Sequence, residues 1–415
     1  MSKIKKLLLS VLPGIFLIGY NIGTGSVTAM SKAGANFGLE LLWAVLASCV
    51  ITYYLIVLFS RYTMVTGKTF IQGVKDHIHP GLTVLLLVAL SVIIVSALIG
   101  ILGIIADVLQ VWWATTFGIV TPPVLWAFIV GAVIYIFLWN GNYFFFEKVL
   151  AVLVATMGIA FIATAVINFP SLGELAAGLI PSLPETAEGS DNSPLVIVAG
   201  MVGTTVSVFV FIIRSQIVKE TGWKMADNAI QKRDALVSAS MMFIIGASIM
   251  ITAATTLHIQ GIKLNNVVEM IPLLEPIAGK ATLSVFVVGI LAAGLSSHLP
   301  NMLVIPWLII DYKKDKRDTT TWFHRIVLLI LTVTSVAGVG FGVRPVFIMM
   351  LSQACLSVVL PLTIASVFYL TSKKRLMNKH ANKLFDLILL SLVMLFSLYM
   401  SWLGIRGLIV DLLNI

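Results

Sequence analysis

Charge is scarce in this sequence, and negative charge most of all: 18 Asp and Glu stand against 27 Lys and Arg, together 11% of 415 residues. A soluble globular chain carries about 25% charged residues, so that class is excluded. Cysteine is nearly absent. Cys49 and Cys355 both fall in apolar runs, which excludes a disulfide framework and a soft-metal thiolate site and leaves two small buried hydrophobes. The six histidines show no spacing suited to a closed metal site. A phosphate-binding loop, an H-E-x-x-H helix and a polar segment long enough for a catalytic domain are also lacking. An enzyme is therefore not expected, no cofactor is implied, and ATP-driven transport would need another subunit.

What the chain has in excess is apolar length. Hydrophobic residues make up 59% of it, and runs of about twenty, each enough to cross roughly 30 Å of hydrocarbon, recur throughout. Eleven are predicted to cross the bilayer: 9–33, 40–61, 82–108, 124–139, 148–169, 194–218, 235–256, 281–310, 325–342, 346–370 and 385–409. The first is too long for the core of a signal peptide and has no cleavage site, so it is assigned to the mature protein. The expected class is an all-α, multi-pass protein of the cell (inner) membrane with the lipid bilayer as its partner; nothing implies an oligomer.

Lys and Arg set the expected orientation, because short loops rich in them stay cytoplasmic. With "MSKIKK" inside, the outer side holds only Lys32, Lys263, Lys280, Arg344 and Arg406, Arg214 lies within the sixth segment, and the other 21 are inside. This predicts a cytoplasmic N-terminus and an external C-terminus. The net charge of +9 thus reflects topology, and a nucleic-acid partner is not expected.

Two short stretches interrupt the apolar pattern in corresponding places. "IGTGSV" (22–27) in the first segment is echoed by "VGTTVS" (202–207) in the sixth, five crossings later. Five is odd, so the two units enter the membrane in opposite directions, as inverted repeats of a secondary transporter do. Gly with small hydroxyl residues permits a helix to break near the midplane and leave backbone groups free to hold a solute. Close helix packing is the other use of such glycines. Asn21, Gly23, Thr24, Gly25, Ser26, Thr204 and Ser207 become candidate substrate-binding residues, with Phe209 as a pocket wall beside Tyr20 and Phe211. Other intramembrane hydroxyls, including Thr28, Thr205, Ser296 and Ser297, are weighed against back-bonding to their own helix.

Several segments together resemble the Nramp metal-ion transporters: "LPGIFLIGYNIGTGSVTAMSKAGANFGLELLWAVLASCV", "NYFFFEKVLAVLVATMG", "GMVGTTVSVF", "KRDALVSASMM", "VVGILAAGLSSHL" and "LSQACLSVVLPL", in the family's order. The resemblance implies a LeuT-like 5+5 inverted repeat with broken helices 1 and 6, plus an eleventh helix. The expected division is 1–170 for the first repeat, 171–193 for an external loop, 194–371 for the second repeat and 372–415 for helix 11. It also adds Gln353, since a Gln at this place in helix ten lines the family's metal pathway.

The positions that define metal chemistry in that family differ here. Asp-Pro-Gly-Asn is replaced by Gly23, Thr24, Gly25 and Ser26; Met-Pro-His by Ser207, Val208 and Phe209; and the second helix-six His by Arg214. The acidic pair expected in helix three aligns with Ala97 and Gly100. Without carboxylate or thioether, the degenerate positions Gly23, Ser26 and Ser207 predict no transition-metal site. A guanidinium about 8 Å from a divalent ion would repel it by roughly 4 kcal/mol at an effective dielectric near 20. Arg214 is thus a candidate charge substitute for the coupling ion or a partner for a solute carboxylate, or else an anchor that snorkels to the interface with Lys219. Glu147 is expected to neutralise the start of helix five, and Asp107 to sit at the outer interface near Trp112 and Trp113.

The leading expectation is a secondary transporter, symporter or uniporter, moving a small polar solute other than a transition metal. A divalent cation, of the Mn/Fe or hydrated Mg type, is the first alternative, and a non-transporting solute receptor the second.

Overall fold

The computed structural model describes residues 21, 23–139, 143–185, 193–266, 269–270, 282–314, 321–342 and 344–413. Those residues are helical almost throughout: α1 (Thr24–Phe37), α2 (Leu42–Thr66), α3 (Phe70–His77), α4 (Pro80–Phe117), α5 (Pro123–Trp139), α6 (Tyr143–Ile167), α7 (Leu172–Gly178), α8 (Pro194–Thr205), α9 (Val208–Thr221), α10 (Asn228–Ala253), α11 (Thr282–Lys313), α12 (Trp322–Gly340), α13 (Pro345–Ser372), α14 (Lys374–Met377) and α15 (Leu384–Leu413). Among them eight spans are long and apolar enough to cross a membrane, and α5 and part of α6 form shorter apolar helices. The first twelve residues of the predicted first segment, Gly19 and Tyr20 among them, lie outside the described residues, as does the side chain of Glu147.

Helix ends follow local chemistry. Ser193 caps α8 by accepting from the Val196 N–H, and Pro194 begins the helix where a missing N–H costs nothing. Gly67, Gly118 and Gly222 end α2, α4 and α9 in the left-handed conformation. The fourth helix runs nine residues past its predicted end, and there Trp113 packs tilted against Phe117 and Trp126, with centroids 4.3 and 5.3 Å apart. Two interfacial helices escaped the hydropathy reading, which counts only long apolar runs: α3, capped by Thr69, and α7, opened by a capping box between Ser171 and Glu174.

The order of burial explains the placement of the site. The apolar window within 194–221 is wholly buried, whereas those of α12 and α15 are 22% and 39% buried, so α8 and α9 form the axis and α12 and α15 face lipid. Val88, Val92, Phe128, Val133, Ile330 and Leu395 lie exposed on the outside, where hydrocarbon rather than water is their solvent. Around the axis α13 packs on α4, α8 and α15, while α10 packs on α1 and α2. Close approach requires absent side chains: a Cβ on Gly203 would sit 1.9 Å from the Gln353 carbonyl oxygen, and one on Gly34 2.4 Å from that of Met250.

Candidate substrate cavity

The sixth predicted segment is two helices. α8 ends at Thr205, Val206 leaves the helical region (φ −87°, ψ 54°), and Ser207 is extended before α9 begins. The freed Thr205 carbonyl is held from two sides, by Asn21 Nδ2 at 3.1 Å and Thr52 Oγ1 at 2.9 Å. The Ser207 hydroxyl makes no capping bond and faces the interior instead.

The first segment is interrupted at the matching place. Asn21 is helical, Gly23 is extended (φ −125°, ψ −158°), and α1 starts at Thr24. The Thr24 N–H, an orphan at the new N-terminus, donates to Ser297 Oγ of α11 at 2.9 Å. Ser26 Oγ donates to the Asn21 carbonyl and sits 3.0 Å from Thr204 Oγ1. Thus each break is stitched to the other and to a third helix, which satisfies polar groups that lipid could not.

Between the breaks lies a cavity of about 40 Å³, bordered by Asn21, Gly23, Gly25, Thr204, Ser207, Phe209 and Gln353. Thr24 and Ser26, also predicted, do not border it; their polar groups serve the stitching just described. Ser297, Asn301 and Ser352 border it as well. Asn301 was not foreseen, yet a lone carboxamide beside a helix-interior proline, Pro300, is a legible signal, since proline removes a backbone hydrogen bond there. The Gln353 amide is fixed by a 3.6 Å contact with Met349 Sδ, and its Nε2 would meet a Cβ on Gly25 at 2.8 Å. Among the described residues none that borders it is charged, and no group of three or more His, Cys, Asp and Glu could hold a metal ion. The cavity offers hydroxyl and carboxamide groups, which suit a hard cation with water or a polar neutral molecule.

Arg214 stands apart from this cavity. It lies about 10 Å along α9 from Ser207 by helical rise, is fully buried, and its Nη1 donates to Asp234 Oδ2 of α10 while its Nε donates to Ser60 Oγ of α2 at 2.8 Å. The repulsion expected of a lone guanidinium does not apply, because a carboxylate equally buried cancels it at contact. Nor does Arg214 snorkel to the surface. Asp234 went unrecognised because it sits among Lys232 and Arg233 and reads as the solvated start of a helix. Lys32, counted with the outer loops, is instead fully buried in α1 and donates to Asn265 Oδ1 at 3.4 Å.

Two interrupted helices crossing at a central polar cavity define a secondary transporter of the LeuT-like class. A family model described as "Natural resistance-associated macrophage protein-like" matches residues 14–406, and the chain belongs to this Nramp family. It is 27% identical over 402 residues to "Divalent metal cation transporter MntH" of Nostoc sp., covering 92% of this chain and 86% of that protein. Against "Divalent metal cation transporter MntH 1" of Pseudomonas aeruginosa it is 28% identical over 397 residues, covering 92% and 87%. A crystal structure of the Eremococcus coleocola manganese transporter superposes with a TM-score of 0.76 at 18% identity, over 99% of this chain and 88% of that one. The chain is a transporter of the cell membrane and not an enzyme.

Proposed function

We propose that this protein carries a divalent cation by alternating access, with water supplying much of the cation's coordination. This departs from the leading sequence expectation in favour of its first alternative. The observation that carries it is the cavity itself: about 40 Å³ has room for about three water-sized particles, bordered by neutral oxygens and amides. Small organic ligands occupy pockets of several hundred Å³. A hard, reluctantly dehydrated ion such as Mg²⁺ needs fewer direct protein ligands than Mn²⁺ or Fe²⁺, which gain from the thioether and imidazole groups this cavity lacks. The name shared by the Nostoc and Pseudomonas relatives supports a divalent cation. On the Lys and Arg distribution we place the N-terminus in the cytoplasm and the C-terminus outside.

One observation favours a second reading: with no carboxylate at the cavity among the described residues, a neutral or zwitterionic solute would meet no uncompensated charge there. Uptake into proteoliposomes, followed with Mg²⁺- and Mn²⁺-sensitive dyes, separates the two. Saturable Mg²⁺ entry faster than Mn²⁺ entry, and reduced about tenfold by Gln353→Leu or Asn301→Leu through loss of one ligating group, is expected. Absence of cation entry beside saturable uptake of an uncharged solute would sink the proposal; solute binding without accumulation would point to a receptor.

A further inference from the structure

A second and larger cleft, about 700 Å³, opens at the lysine-rich end of the protein, away from the central cavity. It is bounded by the last turn of α2, the turn joining α9 to α10, and the tight turn Asn378–His380 that follows α14. Its border contains Lys219, Lys224, Lys379 and His380 and, among the described residues, neither Asp nor Glu. Three lysines and a histidine from two separate segments converge here, and the lysine charges repel one another until an anion joins them.

Two features of the cleft wall would serve a ligand. Thr63 is 2% exposed, yet its Oγ1 has no hydrogen-bond partner among the described residues; a buried hydroxyl left this way costs free energy that a ligand oxygen would recover. Asn378 holds φ 49° and ψ −128°, a region that favours glycine, and such backbone persists where the surroundings enforce it, often at ligand sites. The remaining wall is mostly apolar and includes Met64, Val218 and Trp223, whose ring lies 5.2 Å from the Arg214 guanidinium carbon.

We propose that this cleft binds a phosphoryl anion, with the lysines and His380 around the phosphate oxygens, Thr63 Oγ1 as an added donor, and the apolar wall against whatever carries the phosphate. Basic pockets between transmembrane helices at one membrane face suit anionic headgroups, and a soluble phosphate ester presents the same oxygens. Occupancy reaches the transport machinery through Lys219. Its Nζ donates to Gln72 Oε1 at 2.8 Å, and Gln72 in turn donates to Asp311 of α11 at 2.8 Å, so an anion that draws Lys219 away loosens a tie between α9, α3 and α11.

The test uses full-length protein in phosphatidylcholine nanodiscs, titrated calorimetrically with inorganic pyrophosphate, and native mass spectrometry after addition of phosphatidylglycerol. Saturable one-to-one binding of either probe is expected. It should weaken about tenfold or more in the double variant Lys224→Gln, Lys379→Gln, which loses two charge-assisted contacts, and stay unchanged in Lys374→Gln, Arg375→Gln, whose side chains do not border the cleft. Thr63→Val, nearly isosteric, should weaken binding while leaving the unfolding temperature unaltered. Pyrophosphate binding alone identifies a soluble ester, and retention of phosphatidylglycerol identifies the headgroup. Saturable binding of neither probe, or equal losses in the cleft and control variants, would overturn the site.

Discussion

Arg214 illustrates what one residue can and cannot disclose. A charge inside an apolar run is a functional candidate by default, but its meaning depends on the partner, and here Asp234 is equally buried. The pair holds α9 to α10, and Ser60 adds α2. Removing one member leaves the other charge without compensation, so Arg214→Ala or Asp234→Ala should cost about 3–5 kcal/mol. Thermal unfolding in detergent measures this. The double variant Arg214→Met, Asp234→Leu should lie nearer to wild type than either single change, and single variants that melt like wild type would remove the pair from the account of stability. Gly23 is the other decisive residue. A Cβ there would fall 1.5 Å from Ser297 Oγ, so an aspartate at this position requires the Ser297 side chain to move or to be removed.

At the scale of elements, the contact between the first break and α11 carries the next prediction. Gly23→Ala should reduce transport and the yield of monodisperse protein, because Ser297 must move and the Thr24 N–H then loses its acceptor. Adding Ser297→Gly clears the clash and should restore folding in part, at the cost of the lost cap, about 1–3 kcal/mol for an unsatisfied buried donor. Size-exclusion profiles and uptake rates of the two variants compare directly; no rescue at all would place the defect elsewhere. The breaks themselves were legible in the sequence, because Gly and small hydroxyls in paired apolar segments are a local signal. What stitches them was not. Ser297, Thr52 and the Thr205 carbonyl meet from different helices, and no periodicity in one segment reports the rotation of another.

Two further predictions concern the molecule as a whole. Lys313, exposed at the end of α11, should become as Lys313→Cys a site reached by an impermeant thiol reagent only after the membrane is opened; labelling in sealed cells would invert the proposed topology. The same face is held together by Asp76, which accepts from Lys68 Nζ at 2.8 Å and Lys314 Nζ at 2.9 Å. Partial burial pushes its carboxyl up, but the hydrogen bonds and charges of the two ammonium groups outweigh this and hold it at about 2, below the ordinary 3.8. A depressed folded-state value stabilises above the unfolded one. The contribution should therefore be full above about pH 4 and fade as pH falls toward 2, so the difference in melting temperature between wild type and Asp76→Asn should shrink over that interval. A difference that stays constant through that range would exclude ionisation of Asp76 as its cause.

Composition and apolar run length determined that this protein lives in a bilayer, the paired Gly and hydroxyl stretches that two helices break in corresponding places, and the resemblance of six ordered segments pointed to the family. Hydrocarbon imposes these features directly, since every crossing must be apolar and every break must use residues that tolerate it. Only the tertiary structure decided that Asn301, Ser297 and Ser352 join the cavity, that Thr24 and Ser26 turn to stitching, and that Arg214 is neutralised. A polar side chain in an apolar helix is defined by what faces it, and its partners here lie on helices far away in the chain, brought close by packing that no single segment encodes.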